Sequence, residues 1–284
     1  MIDYWITLLL GLSVNLGCTS GYNYCSNKSH TCDKAGLKHF ICRKETEFKP
    51  LFNTARYVTT LPETMRLRRT ILDYFNRFRD ELASGELLTN SNKSFKSAAR
   101  MRALIWDEEL AYTARMHAST VSFKHSECRS VSRFPMTGES LGLVGVSSEP
   151  RKIEDILNLT LRVMFDEFLA VEDPDRIVDF FDPLSDYSVA HFSCIGNDRL
   201  SRVGCGIATA TRCSKNKNEE GYCHFFTCHY DYTNIAYSYM YKAGTAASQC
   251  DEWKSLPSAS YPNLCENTGQ IFPLDHGDEN KTAS

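Results

Sequence analysis

The sequence predicts an α+β fold cross-linked by disulfides, and three observations carry that prediction. Helical periodicity fills the middle of the chain, strand-like runs follow Pro183, and twelve cysteines are spread from Cys18 to Cys265. Helices followed by a hairpin, without regular strand–helix alternation, point to separate α and β layers instead of a doubly wound sheet. Cysteines so dispersed suit a disulfide framework and an oxidising compartment better than one compact metal cluster. The composition agrees, since 42% of the 284 residues are hydrophobic and 24% charged, as in folded proteins. With 32 basic against 35 acidic side chains the formal charge is -3. That lacks the basic surplus of a phosphate-backbone binder, so no nucleic acid is expected as a partner.

From Thr64 onward, Ile71, Leu72, Phe75, Phe78 and Leu82 recur at helical spacing, and Gly85 stands where a helix would be capped. A polar loop leads to Leu104-Ile105-Trp106, after which Asp107 is an N-cap for a second helix to about residue 119, with Glu108 and Glu109 complementing its dipole. A third helix is predicted over residues 153–171, where Ile156, Leu157, Leu161, Met164, Phe165 and Phe168 make a wide apolar face. Residues 202–208 and 222–230 are β-like runs flanking a polar loop, which predicts a hairpin with a long tip.

The two ends carry signals of export. Residues 5–14 form an apolar run of secretory-signal length, followed by the small residues Gly17, Cys18, Thr19 and Ser20, which suit cleavage near Ser20 or Gly21, although Asp3 is the only charge before the run. No other stretch approaches the roughly 20 apolar residues of a membrane helix, so no membrane span is expected. Four Asn-x-Ser/Thr sequons begin at Asn27, Asn92, Asn158 and Asn280 and are candidate glycosylation sites, the third inside the predicted third helix. The acidic, polar end from Asp275 reads as a disordered tail.

Seven segments then follow one another in a specific order. They are Asn76-Arg77-Phe78-Arg79-Asp80-Glu81-Leu82-Ala83-Ser84-Gly85, Ile105-Trp106-Asp107-Glu108-Glu109-Leu110-Ala111, His125-Ser126-Glu127-Cys128-Arg129, Gly138-Glu139-Ser140-Leu141, Met164-Phe165-Asp166-Glu167, Ala190-His191-Phe192-Ser193 with Arg202-Val203-Gly204-Cys205-Gly206, and Cys228-His229-Tyr230. Together they resemble the CAP superfamily of cysteine-rich secretory proteins, insect antigen-five venom allergens and plant pathogenesis-related proteins. Tyr24-Cys25, Lys38-His39-Phe40-Ile41-Cys42 and Tyr261-Pro262-Asn263-Leu264-Cys265 are similar to the insect antigen-five branch. Phe75 stands at the family's histidine, and Cys194 and Asn197 replace a glutamine and a tryptophan common among relatives. The resemblance implies a three-layer α-β-α sandwich with a central antiparallel sheet. It divides the chain into a signal peptide (1–20), a cysteine-containing extension (21–63), the CAP domain (64–234) and a carboxy-terminal extension with one disulfide loop and the tail (235–284).

It also implies a site and a bonding pattern. The family's two histidines and two glutamates facing one cleft fall on His125, Glu139, Glu167 and His191, a set of nitrogen and oxygen donors able to hold Zn²⁺ or a similar divalent cation, with no cofactor required. Protons would compete for the histidines in acid. Read singly, each of these residues is as well explained as one half of a satisfied surface pair. The family pattern joins Cys25 with Cys42, Cys32 with Cys128 and Cys205 with Cys228. Cys213 and Cys223 flank the hairpin loop and can form a nested bridge, Cys250 and Cys265 can close a late loop, and Cys194 is left unpaired once the signal takes Cys18.

The function expected is that of a secreted, extracellular, monomeric, non-enzymatic protein that binds a protein partner, or a small lipid or sterol in its cleft. Phe165, Phe168, Phe180, Phe181, Phe225 and Phe226 could line an apolar pocket, though core is the simpler reading. One alternative is a metal-dependent, peptidase-like hydrolase in which Glu139 or Glu167 activates water. No nucleophile is tied by spacing to a base, and Ser193 would face away from His191 on a strand. A second alternative is a ligand-free extracellular structural module.

Overall fold

The computed structural model describes residues 23–25, 32, 35–213 and 221–269. The expected signal peptide, Cys18, the sequons at Asn27 and Asn280, and the tail from Asp275 lie outside the described residues.

In chain order the elements are α1 (Lys44–Glu47), β1 (Arg56–Thr60), α2 (Met65–Ser84), β2 (Ile105–Trp106), α3 (Glu108–Ala118), β3 (Gly138–Ser147), α4 (Ile153–Phe165), α5 (Pro174–Asp179), α6 (Ala190–Ile195), β4 (Arg202–Thr211) and β5 (Tyr222–Tyr230). The Thr64 hydroxyl accepts the Leu67 amide at 3.2 Å and starts α2, and Gly85, at φ 83°, ends it in the left-handed conformation that glycine adopts without strain. Asp107 caps α3 by accepting the amides of Glu109 and Leu110.

The sheet order is β1-β4-β5-β3, all antiparallel, with β2 running parallel to the start of β4. Alternation along the strands sorts the two faces. Gly204 and Gly206 face α3, where a Cβ on Gly204 would stand 2.0 Å from the Ala111 amide nitrogen, so glycine lets helix and sheet close completely. Val203, Cys205 and Ile207 face the other way, into a core shared with Ile71, Phe75, Leu161, Phe165 and Phe192 from α2, α4 and α6. Helix, sheet and helix therefore form three layers.

Two expectations need correction. The third helix is α-helical only as far as Phe165; residues Asp166–Ala170 tighten into a 3₁₀ turn, which re-aims Glu167. Strands are not confined to the region after Pro183, because β1, β2 and β3 all precede it. β3 contains three glycines and β1 is exposed over four of its five residues, so neither shows the alternation by which a half-buried strand is read.

Five disulfides are present among the described residues: Cys25–Cys42, Cys32–Cys128, Cys205–Cys228, Cys213–Cys223 and Cys250–Cys265. Cys205–Cys228 joins directly paired positions of β4 and β5. Cys32–Cys128 ties the amino-terminal extension to the loop carrying His125, across a sequence separation of 96. Cys194 is the free cysteine among the described residues and is buried.

Candidate functional site

Glu139 is the second residue of β3, pairs with His229 of β5, and its side chain is fully buried. A carboxylate taken out of water must have its lone pairs satisfied. Here Oε1 accepts from His125 Nδ1 at 2.8 Å and the Ser126 amide at 3.0 Å, while Oε2 accepts from the Ser126 hydroxyl and His229 Nε2, each at 3.0 Å. Arg129 stands 3.3 Å from Oε1. Burial pushes the Glu139 carboxyl up, but Arg129, His125 and His229 outweigh it and hold the group well below the carboxylate range. Burial pushes His229 down to about 4, so its ring is neutral at pH 7; Nε2–H donates to Glu139 and Nδ1 accepts from Thr113, 2.7 Å away. His117, also lowered by burial, donates Nε2–H to the Lys124 carbonyl at 3.0 Å and lies 3.6 Å from Glu139.

The second pair comes from the opposite helical layer. Glu167 sits in the 3₁₀ turn after α4 and His191 on the first turn of α6. Glu167 accepts from His191 Nδ1 at 2.6 Å and from the Phe192 amide at 2.9 Å. Its side chain keeps 17% exposure.

Both pairs line one cleft of about 440 Å³, bordered also by Ser140, Tyr187, Ser188, Cys194 and Asn234. Among the described residues the four do not form a single coordination group, and no cluster of three or more His, Cys, Asp or Glu side chains could hold a metal ion. The four candidate ligands stand as two His–Glu pairs on the same cleft. Both glutamates are used as acceptors of the Nδ1–H groups, which leaves the Nε2 atoms of two histidines that line the cleft without a hydrogen-bond partner among the described residues.

The whole chain can now be set against known proteins. Residues 72–230 match the model of the cysteine-rich secretory protein family, CAP. This chain belongs to that family. It is 28% identical over 249 residues to a protein named venom allergen-1 from Aedes albopictus, covering 87% of this chain and 89% of the relative. Among solved structures, BmVAL-1 superposes with a TM-score of 0.57 at 23% identity, over 72% of this chain and 95% of that one. NaASP2 with Zn²⁺ superposes at 0.55 and 20% identity, over 71% and 96%. The structural likenesses establish the CAP fold, and the curated relatives place the chain with the insect venom-allergen, antigen-five-like branch.

In this CAP protein several site residues escape sequence reasoning. His117, Ser126, Arg129 and His229 complete the Glu139 network, yet none belongs to the family quartet. Their signal was available: β alternation turns Thr227 and His229 toward α3, and His117 lies on that helix. Ser193 stays apart from His191 as expected, but not because of a strand. Its segment is helical, and its hydroxyl donates to the Ala190 carbonyl and accepts from Asn234 Nδ2 at 2.8 Å, so it has no partnership with His191. Asn197, where relatives carry a larger side chain, is buried and accepts from the Arg199 backbone and guanidinium. Cys194 borders the cleft, but burial pushes its thiol up to about 11, the opposite of a reactive nucleophile. Of the six phenylalanines named as candidate pocket lining, Phe165, Phe181, Phe225 and Phe226 are core. Phe165 and Phe168 border a second groove of about 620 Å³ between α2 and α4. Asn92 and Asn158 are exposed, Asn158 on α4 and bonded to the Tyr74 hydroxyl.

Proposed function

We propose that this chain is a secreted, non-catalytic binding protein whose cleft takes a divalent cation on His125 and His191. The observation that carries the reading is the pairing itself. Each imidazole lines the cleft and is held by a carboxylate through Nδ1, with Nε2 unpartnered among the described residues, the arrangement by which glutamates orient histidine ligands to a metal. That donor set fits Zn²⁺, with solvent or a partner group completing the coordination. The cation would supply a fixed positive centre for an anionic group of a bound partner. Glu139, with both oxygens occupied by donors, is unavailable as a base, and neither Ser193 nor Cys194 is an activated nucleophile, which supports binding over hydrolysis. The disulfide framework and the family's secretory members support an extracellular location.

The test is native mass spectrometry of the secreted protein with added Zn²⁺, beside a His125→Ala/His191→Ala variant. One metal mass in the first and none in the second is expected. A metal that persists in the double variant, or zinc-dependent hydrolysis of peptide or ester substrates by the native protein, would overturn the reading.

A further inference from the structure

Around the segment that carries Phe180, which lines a further groove, and Tyr187, which borders the cleft, lies an unusually exposed set of apolar side chains. Leu184 is 85% exposed, Tyr187 78% and Tyr237 61%. Tyr237 is fastened to the segment that leads to Leu184 and Tyr187: its amide donates to the Phe181 carbonyl at 2.7 Å, the Phe181 amide donates to the Ser238 carbonyl at 3.0 Å, and the rings of Phe180 and Tyr237 are 5.4 Å apart. Tyr237 also adopts φ 64°, a left-handed conformation that costs a bulky residue free energy and presents its ring outward. Large apolar groups clustered in this way are a mark of interaction surfaces.

The groove behind this ledge indicates the charge of its occupant. It has a volume of about 480 Å³, an apolar floor of Val171, Ile177 and Val189, and the Phe180 ring on one wall. Glu172, Asp173, Asp182 and Asp186 also line it, against the single guanidinium of Arg176, which is taken by Asp186. Asp173 and Asp182 accept the Arg176 and Leu184 amides, and with Glu172 they leave the groove with more acidic than basic side chains. A lysine or arginine fits such a groove, its aliphatic stem on the floor and its charge between the acids and the Phe180 ring.

We propose that the Phe180–Leu184–Tyr187–Tyr237 ledge and the acidic groove beside it form the docking surface for a basic protein segment, whose apolar side chains lie on the ledge while a cationic side chain enters the groove. The proposal rests on the reading of this chain as a binding protein. The surface adjoins the histidine cleft, which Tyr187 also borders, but uses neither histidine.

The test uses the full secreted chain and a fluorescein-labelled ten-residue peptide of alternating lysine and leucine, read by anisotropy, with a glutamate–leucine peptide as counterpart. The lysine–leucine peptide binds, more weakly as salt rises. Leu184→Ala/Tyr237→Ala weakens it by about tenfold, a change of roughly 1.4 kcal/mol. Glu172→Gln weakens it less, and Val163→Ala, an equally exposed apolar position on α4, leaves it unchanged. The surface is overturned if neither peptide binds, if the glutamate–leucine peptide binds as tightly, if the double variant binds like the native chain, or if Val163→Ala costs as much. Running His125→Ala/His191→Ala in parallel separates the two readings: a chain that takes Zn²⁺ but no lysine–leucine peptide removes only the docking surface, and one that takes the peptide but no Zn²⁺ removes only the cation site.

Discussion

Glu139 and Glu167 each hold a histidine by Nδ1, but they do so from different kinds of structure. Glu139 projects from a paired strand, is fully buried, and is met by three side-chain or backbone donors besides His125. Glu167 projects from a 3₁₀ turn, is partly open to water, and has one further donor, the Phe192 amide. The same contact is thus part of the fold's interior on one wall of the cleft and a local fastening on the other. The contrast teaches that equal chemistry toward a ligand need not mean equal weight in stability.

The largest expected effect tests that weight directly. Glu139→Ala strands His229, His117 and Arg129 in a buried setting and lowers stability by about 3 to 5 kcal/mol, as removal of one partner from a buried charged network does. Glu167→Ala costs about 1 kcal/mol, the scale of a hydrogen bond at a wet site. Urea unfolding of both variants measures the difference, and similar losses would break the comparison.

Acid sharpens it next. His229 has its folded value pushed down to about 4 from 6.5, so the unfolded chain takes up its proton first and stability is lost as pH falls from about 6.5 to 4. Glu139, depressed in the fold, extends the loss below its ordinary range as pH falls further. The histidine contribution is up to about 3 kcal/mol at 1.36 kcal/mol per unit. His229→Gln, which keeps a donor but does not titrate, removes the His229 share of the slope between pH 6.5 and 4 and leaves that of His117 and His224, whose folded values are also lowered; a curve unchanged from the native one would show that the Glu139 network does not dominate.

On the ligand side the order is reversed. Glu167→Gln weakens Zn²⁺ uptake by roughly 10- to 100-fold through loss of His191 orientation, with little change in folding. Titration calorimetry reads the first and urea unfolding the second. The smallest effect belongs to Cys194→Ala, about 1 kcal/mol for a small buried group. In the native chain the thiol should react with a maleimide only on addition of denaturant, and rapid labelling of the folded protein would contradict its burial.

The sequence announces these two walls unequally. The α2 caps, the Asp107 start of α3 and the β4–β5 hairpin are local patterns, readable because each depends on residues a few positions apart. The quartet could be placed only through family order, since His125 and Glu139 are 14 positions apart and Glu167 and His191 are 24. Glycine-rich β3 and exposed β1 hide their pairing because neither needs alternating apolar residues. The Glu139 network stayed hidden for a different reason: its members lie on α3, the following loop, β3 and β5, and only the register Glu139 opposite His229 brings them together.

The Cys32–Cys128 bond bears on how the molecule is made. His125 lies three residues from one of its sulfurs, and the other sits near the beginning of the chain. A ribosome delivers Cys32 long before the loop it must clasp, so the His125 wall is completed only after nearly half the protein has emerged and an oxidant has acted. Among the described residues the His191 wall involves no cystine. Synthesis under reducing conditions would therefore leave one side of the cleft unfastened, which makes oxidation of this cysteine pair a step in assembling the site.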